Sequence, residues 1–303
     1  MLYIFESRRW SSGIACPHCA STKKPYSVKP RGKFKDIPSY RCSERVCDLP
    51  FTVRTGTIFE GSKVELKKWF QAQYELAISK KGISSVELAE RIGVSQKTAW
   101  FINHRLRAML TDTKPQLLKG ISEIDETYVG GKAKNMHLKK RKAHRHGTAS
   151  KTGVFGVHND GKVRTQVMGA TDERLSDLVR KNIKKGRIVA SDEHQAYSAL
   201  HKEYFHQTVL HNQGEYVNED GFHTNSIEGF WSLLKRGIVG TFHLVSPQHL
   251  QRYCDEFSHR YNNRNAAHGV RFHSSIERFD TARLTYSSLT NSAKPRENRH
   301  IVS

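Results

Sequence analysis

The stretch Asn225-Ser-Ile-Glu228-Gly-Phe-Trp-Ser-Leu-Leu-Lys235-Arg236 decides how this chain is read. On a helix, at about 100° per residue, it separates into two stripes. Ile227, Phe230, Trp231, Leu234 and Ile238 form an apolar stripe, and Glu228, Ser232 and Lys235 a polar one beside it. One helix therefore packs on a core while offering a carboxylate and, two turns on, a cation. A carboxylate on a half-buried helix is costly unless something pairs with it. A local role is available as well: Asn225 reads as the N-cap and Glu228 as its capping-box partner. The two roles are compatible, because a capped and packed helix holds Glu228 steady.

Two more carboxylates stand upstream on strands. Ile121–Val129 alternates, with Ile124 on the face opposite Asp125, and Gly130-Gly131 ends the strand. Val154-Phe-Gly-Val-His158 and Val163–Met168 read as two strands around a turn at Asn159-Asp160-Gly161. A helix over Leu175–Ile183 follows, then a strand over Arg187–Glu193 that carries Asp192, then a helix over Gln195–Leu200. The His- and Asn-rich residues after it read as loop. A last helix over Gln248–Asn263 carries Cys254, expected to be buried and inert. Residues 193–227, 35 positions, separate Asp192 from Glu228. By alternation Glu123 shares the face of Asp125, while Glu126 and Glu193 point elsewhere; all three read as solvated or structural carboxylates. His194 and His223 read as loop histidines.

The N-terminal third carries different signals. Cys16-Pro-His-Cys19 and Cys42-Ser-Glu-Arg-Val-Cys47 are two short-spaced thiolate pairs, the pattern of a tetrahedral Zn²⁺ site. His18 is a weaker substitute ligand. Short strands at Tyr26–Lys29, Ser39–Cys42 and Phe51–Phe59 suit a zinc ribbon over residues 1–60, in which metal supplies folding energy that so small a core lacks. Next, Val64–Lys80 reads as a helix. Ser84 and Glu87 read as a capping box, Gly93 as a stop, and Ser95 as the cap of a further helix. That is a helix-turn-helix pattern within residues 61–113. Its second helix would turn Gln96, Lys97, Thr98, His104 and Arg105 toward DNA and pack Ala99, Ile102 and Leu106 inward.

Charge points to the partner. Lys and Arg outnumber Asp and Glu by 50 to 29, a formal net charge of +21, which favours a polyanion, by default nucleic acid. No apolar run approaches the ~20 residues of a membrane span, and the N-terminus lacks a signal-peptide layout. An intracellular, cytoplasmic protein is expected. Residues 132–151 are basic without apolar period, including Lys139, Lys140, Arg141 and Lys142, and read as a DNA-contacting loop. The loop between the cysteine pairs (Lys23, Lys24, Lys29, Arg31, Lys33, Lys35) can also meet phosphate.

Taken together, Asp125-Glu-Thr-Tyr-Val-Gly-Gly131-Lys, Ser191-Asp192-Glu-His-Gln-Ala-Tyr197, His223-Thr-Asn225-Ser-Ile-Glu228-Gly-Phe-Trp-Ser-Leu-Leu-Lys235-Arg-Gly-Ile-Val-Gly240 and Tyr261-Asn-Asn-Arg264 resemble the DDE transposases. The resemblance is nearest to bacterial insertion-sequence enzymes with an N-terminal zinc ribbon, the ISXO-like group, and runs from Cys16 to about Phe279. It implies a multidomain chain: zinc ribbon, helix-turn-helix, then an α/β RNase H-like catalytic domain (a mixed sheet flanked by helices) over residues 114–280, with 281–303 a disordered tail. It implies Asp125, Asp192 and Glu228 as ligands of two Mg²⁺ or Mn²⁺ ions, Lys235 and Arg236 at the DNA end, and one structural Zn²⁺. Asn225 is the alternative third ligand, since some relatives carry asparagine there. The implied partners are double-stranded DNA, at the element ends and at the target, and further copies of the chain on that DNA. The implied reaction exposes 3′-hydroxyl ends and joins them to target DNA. Two other classes fit the same residues: a non-catalytic DNA-binding regulator, and a nuclease of the same core that never joins ends.

Overall fold

The computed structural model describes residues 2–30, 37–112, 115–131, 151–169, 174–210, 216–280 and 284–290. In chain order its elements are α1 (Leu2–Arg9), β1 (Tyr26–Val28), β2 (Ser39–Arg41), β3 (Pro50–Thr52), α2 (Leu66–Ile78), α3 (Ser85–Ile92) and α4 (Gln96–Leu110). Then come β4 (Ile121–Val129), β5 (Thr152–Asn159), β6 (Lys162–Val167), α5 (Leu175–Asn182), β7 (Ile188–Asp192), a 3₁₀ segment (Gln195–Lys202) and β8 (Phe205–Val209). The chain continues through α6 (Asn225–Gly237), a π-helical turn (Ile238–Phe242), α7 (Pro247–Asn262), α8 (His268–Ile276) and α9 (Tyr286–Thr290).

Two compact units result. The first gathers residues 1–78, 85–109 and 267–303; the second gathers 79–84 and 110–266. The expected partition is therefore redrawn. Residues 1–78 and 85–109 fall in one unit, and the residues after Ala266 return to it instead of closing the second unit. Phe5 stacks on Phe279 at 4.2 Å and on Phe59 at 5.1 Å, and Phe59 on Trp69 at 5.3 Å. Leu284 and Leu289 are buried and α9 is helical, so residues 284–290 are ordered where a disordered tail was expected. The stretch Phe51–Phe59 forms a strand only to Thr52; turns follow, bonded through Arg54, which donates to the carbonyls of Phe59 at 3.0 Å and Ser62 at 2.6 Å.

Ser95 caps α4 through its hydroxyl, which accepts from Thr98 N–H at 3.3 Å, and Ala99, Ile102 and Leu106 face inward. Gln96 and Lys97 are exposed and Thr98 is half-buried. His104 and Arg105 correct the sequence reading: they are 0% and 5% exposed and do not face solvent. Arg105 donates to the carbonyls of Leu284 (2.9 Å), Ile58 (2.6 Å) and Glu60 (2.9 Å). It is a buried staple within this unit, and surface charge is not its role.

The second unit is built on a five-stranded sheet in the order β6-β5-β4-β7-β8. β4–β5 and β5–β6 pair antiparallel, and β4–β7 and β7–β8 parallel. β8, a largely half-exposed edge strand, was not anticipated: its residues Phe205–Val209 carry no apolar period. On one face Ile124, Phe155, Val157, Leu178, Val179, Val189 and Tyr197 form a core with α5 and the 3₁₀ segment. On the other face Ile227, Phe230, Trp231 and Leu234 of α6 and Leu250, Cys254 and Phe257 of α7 form a second core. Cys254 is fully buried, and burial pushes its thiol pKa far up, so it is inert as expected. Gly237 lets α6 meet α7: a Cβ there would lie 2.1 Å from Phe257 Cζ. Gly237→Ala is expected to cost about 1–3 kcal/mol by overpacking, read as a lowered melting temperature.

Candidate active site

β4 lays Glu123 and Asp125 on one sheet face, two residues apart. β7 pairs with it at Ile121↔Ile188, Ser122↔Val189 and Glu123↔Ala190, an offset of 67, so the same register continued sets Asp192 opposite Asp125. Parallel neighbours of this kind lie about 5 Å apart. Asp125 Oδ1 accepts the N–H of Glu126 at 2.8 Å, and Oδ2 accepts the Trp231 indole N–H at 2.9 Å. Burial, and then the charges of Glu126 and Asp192, push the Asp125 pKa up to about 7. Asp192 Oδ1 accepts the N–H of His194 at 3.1 Å.

α6 lies across this face of the sheet. Its apolar stripe is as expected: Ile227, Phe230, Trp231, Leu234 and Ile238 are all buried. Glu228, Lys235 and Arg236 are exposed along its open side. Thr224 Oγ1 donates to Glu228 Oε1 at 3.2 Å, and Arg236 Nε to the Ser232 carbonyl at 3.1 Å. The N-cap is Thr224, not Asn225 as read from sequence. Asn225 is the first helical residue, and its side-chain N–H donates to the Tyr216 carbonyl at 3.3 Å. The N-terminal amides of α6 are satisfied from a distance: Glu123 Oε2 accepts from Ser226 N–H at 2.9 Å and Ile227 N–H at 3.2 Å. Burial opposes ionisation of Glu123, but His158, whose Nδ1 is 3.0 Å from Oε1, and these amides outweigh it and hold its pKa below the ordinary value.

Glu126 is structural, though not solvated. Its Oε2 accepts the Tyr197 hydroxyl at 2.6 Å, and the burial and charge around that hydroxyl push its pKa well up. The sequence reading gave no role to Trp231 beyond core packing, nor to His158 or Tyr197. The signals available were a polar atom on each and their spacing; the partners are set by register. Lys139, Lys140, Arg141 and Lys142 lie outside the described residues.

Among the described residues, Cys16, Cys19, Cys42 and Cys47 are the group whose ligand atoms all lie within 4.8 Å of one another. Cys16 Sγ–Cys47 Sγ is 3.8 Å and Cys19 Sγ–Cys42 Sγ 3.6 Å, near the roughly 3.8 Å edge of a tetrahedron with ~2.3 Å Zn–S bonds. Ala20 and Asp48, each directly after the second cysteine of a pair, take left-handed φ of 58° and 41°, which turns the chain back on itself. This cluster fits one structural Zn²⁺. His18 stands outside it, with Nε2 3.3 Å from the Pro50 carbonyl. The three carboxylates Asp125, Asp192 and Glu228 do not close to the same distance. No helix among the described residues is long and apolar enough to cross a membrane.

Residues 117–262 match the family described as the ISXO2-like transposase domain, and residues 2–48 the transposase zinc-ribbon domain. A relative in Halobacterium salinarum, described as an uncharacterized protein in transposable element ISH50, is 31% identical over 265 residues, covering 83% of this chain and 86% of its own length. Both matched domains are transposase domains, and the relative is encoded within a mobile element. The chain belongs to the ISXO2-like transposases with an N-terminal zinc ribbon. The relative is archaeal, so the bacterial setting expected from the sequence does not bound the family.

Proposed function

We propose that this chain is the transposase of an insertion sequence, binding the element's terminal inverted repeats, exposing their 3′-hydroxyl ends and joining them to target DNA. The observation that supports this reading is the β4–β7 register, which, continued by two residues, puts Asp192 opposite Asp125 on the sheet face that α6 covers; Glu228 is exposed on that helix. The strand order and mixed pairing support the reading of an RNase H-like α/β core. The donor set fits hard divalent cations: the ligands are carboxylate oxygens, and burial, then the charges of Glu126 and Asp192, raise the Asp125 pKa, a cost that a bound cation would offset. Asp125, Asp192 and Glu228 would hold two Mg²⁺ or Mn²⁺ ions. Such a pair, when bound, activates the attacking hydroxyl and neutralises the leaving oxygen of an in-line displacement at phosphorus.

The chain's own residues do the rest. Lys235, two turns from Glu228 on the open side of α6, and Arg236 beside it would hold phosphates of the DNA end. Glu228 takes the third place rather than Asn225 on its charge, the 35 residues that separate it from Asp192 and the six that separate it from Lys235. Gln96, Lys97 and Thr98 open α4, where a recognition helix of a helix-turn-helix meets bases. The basic stretch 132–151, with Lys139, Lys140, Arg141 and Lys142, adds phosphate contacts. Two element ends must be joined together, so the active form would be an oligomer on DNA. The test is a strand-transfer assay on the element's terminal repeats with Mg²⁺. Joined products that disappear in Asp192→Ala and Glu228→Ala are expected. Undiminished joining in either variant would overturn the assignment, cleavage without joining would make the chain a nuclease, and DNA binding without any cleavage a regulator.

A further inference from the structure

β4 grips α6 at two polar points that flank Glu228. At the first, the Glu123 carboxylate takes the N–H groups of Ser226 and Ile227 at 2.9 and 3.2 Å. At the second, the Trp231 indole N–H reaches Asp125 Oδ2 at 2.9 Å. Along the strand the two acceptors are two residues apart, about 7 Å. Along the helix the donors are four to five residues apart, again about 7 Å. The two ladders match, so α6 cannot slide along β4 without breaking both contacts. Glu228 sits between them, immediately after Ile227 and three residues before Trp231.

A third residue makes the second contact feasible. Asp125 pairs across the ladder with Gly156 of β5. A Cβ at Gly156 would lie 2.5 and 2.6 Å from Trp231 Cζ2 and Cη2, and 2.9 Å from Ile227 Cδ1. The indole lies over the bare backbone of Gly156 and so reaches the carboxylate on the neighbouring strand. A buried tryptophan N–H needs some acceptor; here the acceptor is a carboxylate beside Asp192. The indole is 4% exposed, so water does not compete for the contact.

We propose that Glu123, Trp231 and Gly156 are positioning residues of the active site, which hold the α6 backbone beneath Glu228 at a fixed height above Asp125. The proposal rests on the reading of Asp125 and Glu228 as metal ligands. It accounts for a strand that places two carboxylates on one face: one orients the helix, and the other is oriented by it.

The experiment measures Mn²⁺ binding to the zinc-loaded, full-length protein by the electron paramagnetic resonance signal of free Mn²⁺, with no DNA present. Removing a residue that orients a ligand typically weakens a metal site about 10- to 100-fold. Glu123→Ala, Trp231→Phe and Gly156→Ala are each expected to weaken Mn²⁺ binding about tenfold or more. Glu123→Gln keeps an oxygen for the Ser226 and Ile227 amides and is expected to restore affinity to within about threefold of the parent chain. A merely structural role would not produce that rescue. A second readout needs no variant to bind metal: the indole ¹H–¹⁵N resonance that vanishes in Trp231→Phe is expected to shift in the parent chain when Mg²⁺ is added. Asp125→Asn separates the two levels of the argument. If it binds Mn²⁺ as the parent does, the metal-ligand reading falls. If it loses Mn²⁺ while Glu123→Ala and Gly156→Ala bind normally and the indole resonance stays still, the positioning proposal falls and the ligand reading stands.

Discussion

Asp125→Asn is expected to lower strand transfer by about 10³-fold or more while making the metal-free protein relatively more stable the higher the pH. The loss follows from the reading of Asp125 as one of the carboxylates that would hold the two cations. An amide carries no charge to hold them, and metal-assisted phosphoryl transfer owes several kcal/mol to them. The stability effect follows from the Asp125 pKa, pushed up to about 7 from the usual 3.8 first by burial and then by Glu126 and Asp192. Between those two values the folded state binds more protons than the unfolded one. Stability is therefore fully present below about pH 4 and falls as pH rises toward 7. The ionised carboxylate costs on the order of 2 kcal/mol after its solvent-open side is discounted, and asparagine does not incur this. Asparagine has one oxygen for two donors, the Glu126 and Trp231 N–H groups, which offsets part of the gain. The decisive quantity is thus the difference in melting temperature between variant and parent. It should move in the variant's favour by about 5 °C from pH 4.5 to pH 8. A difference that does not change with pH would contradict the crowding of carboxylates on β4 and β7.

This behaviour explains why the site could be read only in part from sequence. The faces of α6 were legible because helical periodicity depends on one element alone, and Ile227, Phe230, Trp231 and Leu234 are all buried as that period requires. What the neighbours of the carboxylates do was not legible. Trp231 counts as apolar in any periodicity, yet its N–H is committed to a carboxylate 106 residues away. Glu123 reads in sequence only as a solvated or structural carboxylate, because its partners, the amides of Ser226 and Ile227, are backbone groups of a distant helix. The parallel pairing of β4 and β7 that sets Asp192 opposite Asp125 leaves no trace in either strand by itself.

The error at His104 and Arg105 has a similar cause. A helical wheel assigns an outward face on the assumption that one side meets water. The second half of α4 is enclosed, and Arg105 carries its charge inward to the carbonyls of Ile58, Glu60 and Leu284. The last of these belongs to the stretch expected to be a disordered tail. Its order depends on burying Leu284 and Leu289, two residues in a polar segment too short for any period to show. At the opening of α4, Gln96 and Lys97 are exposed and Thr98 is half-buried, so the DNA-facing role expected of them rests with the proposed function.

The second large effect concerns zinc. Stripping the metal with a chelator, or replacing Cys42 by Ser, is expected to unfold the ribbon and leave the five-stranded unit folded. Between Cys16 and Thr52 the ribbon has little else to hold it, although Phe5 and Phe59 on either side pack into the first unit's core. β1, β2 and β3 are three residues each, and the cluster around the cysteines adds Trp10, Ile14, Tyr40 and Phe51. Ala20 and Asp48 hold left-handed backbone, which L-residues adopt at a cost unless something over-determines it. Four thiolates without a metal would also repel one another as they ionise. Structural zinc contributes roughly 10–16 kcal/mol to such modules at neutral pH, far above what a core of this size offers. The five-stranded unit has two apolar clusters of its own, on opposite faces of the sheet, and neither contains a cysteine of the ribbon. Trp10, which packs edge-on against Tyr40 at 5.6 Å and Phe51 at 6.3 Å, should lose its ordered environment on chelation. The amide resonances of the ribbon should collapse toward random-coil positions while those of β4–β8 persist. Metal analysis should find one zinc per folded chain, and a ribbon spectrum unmoved by chelation would show that the thiol cluster holds itself together without a metal.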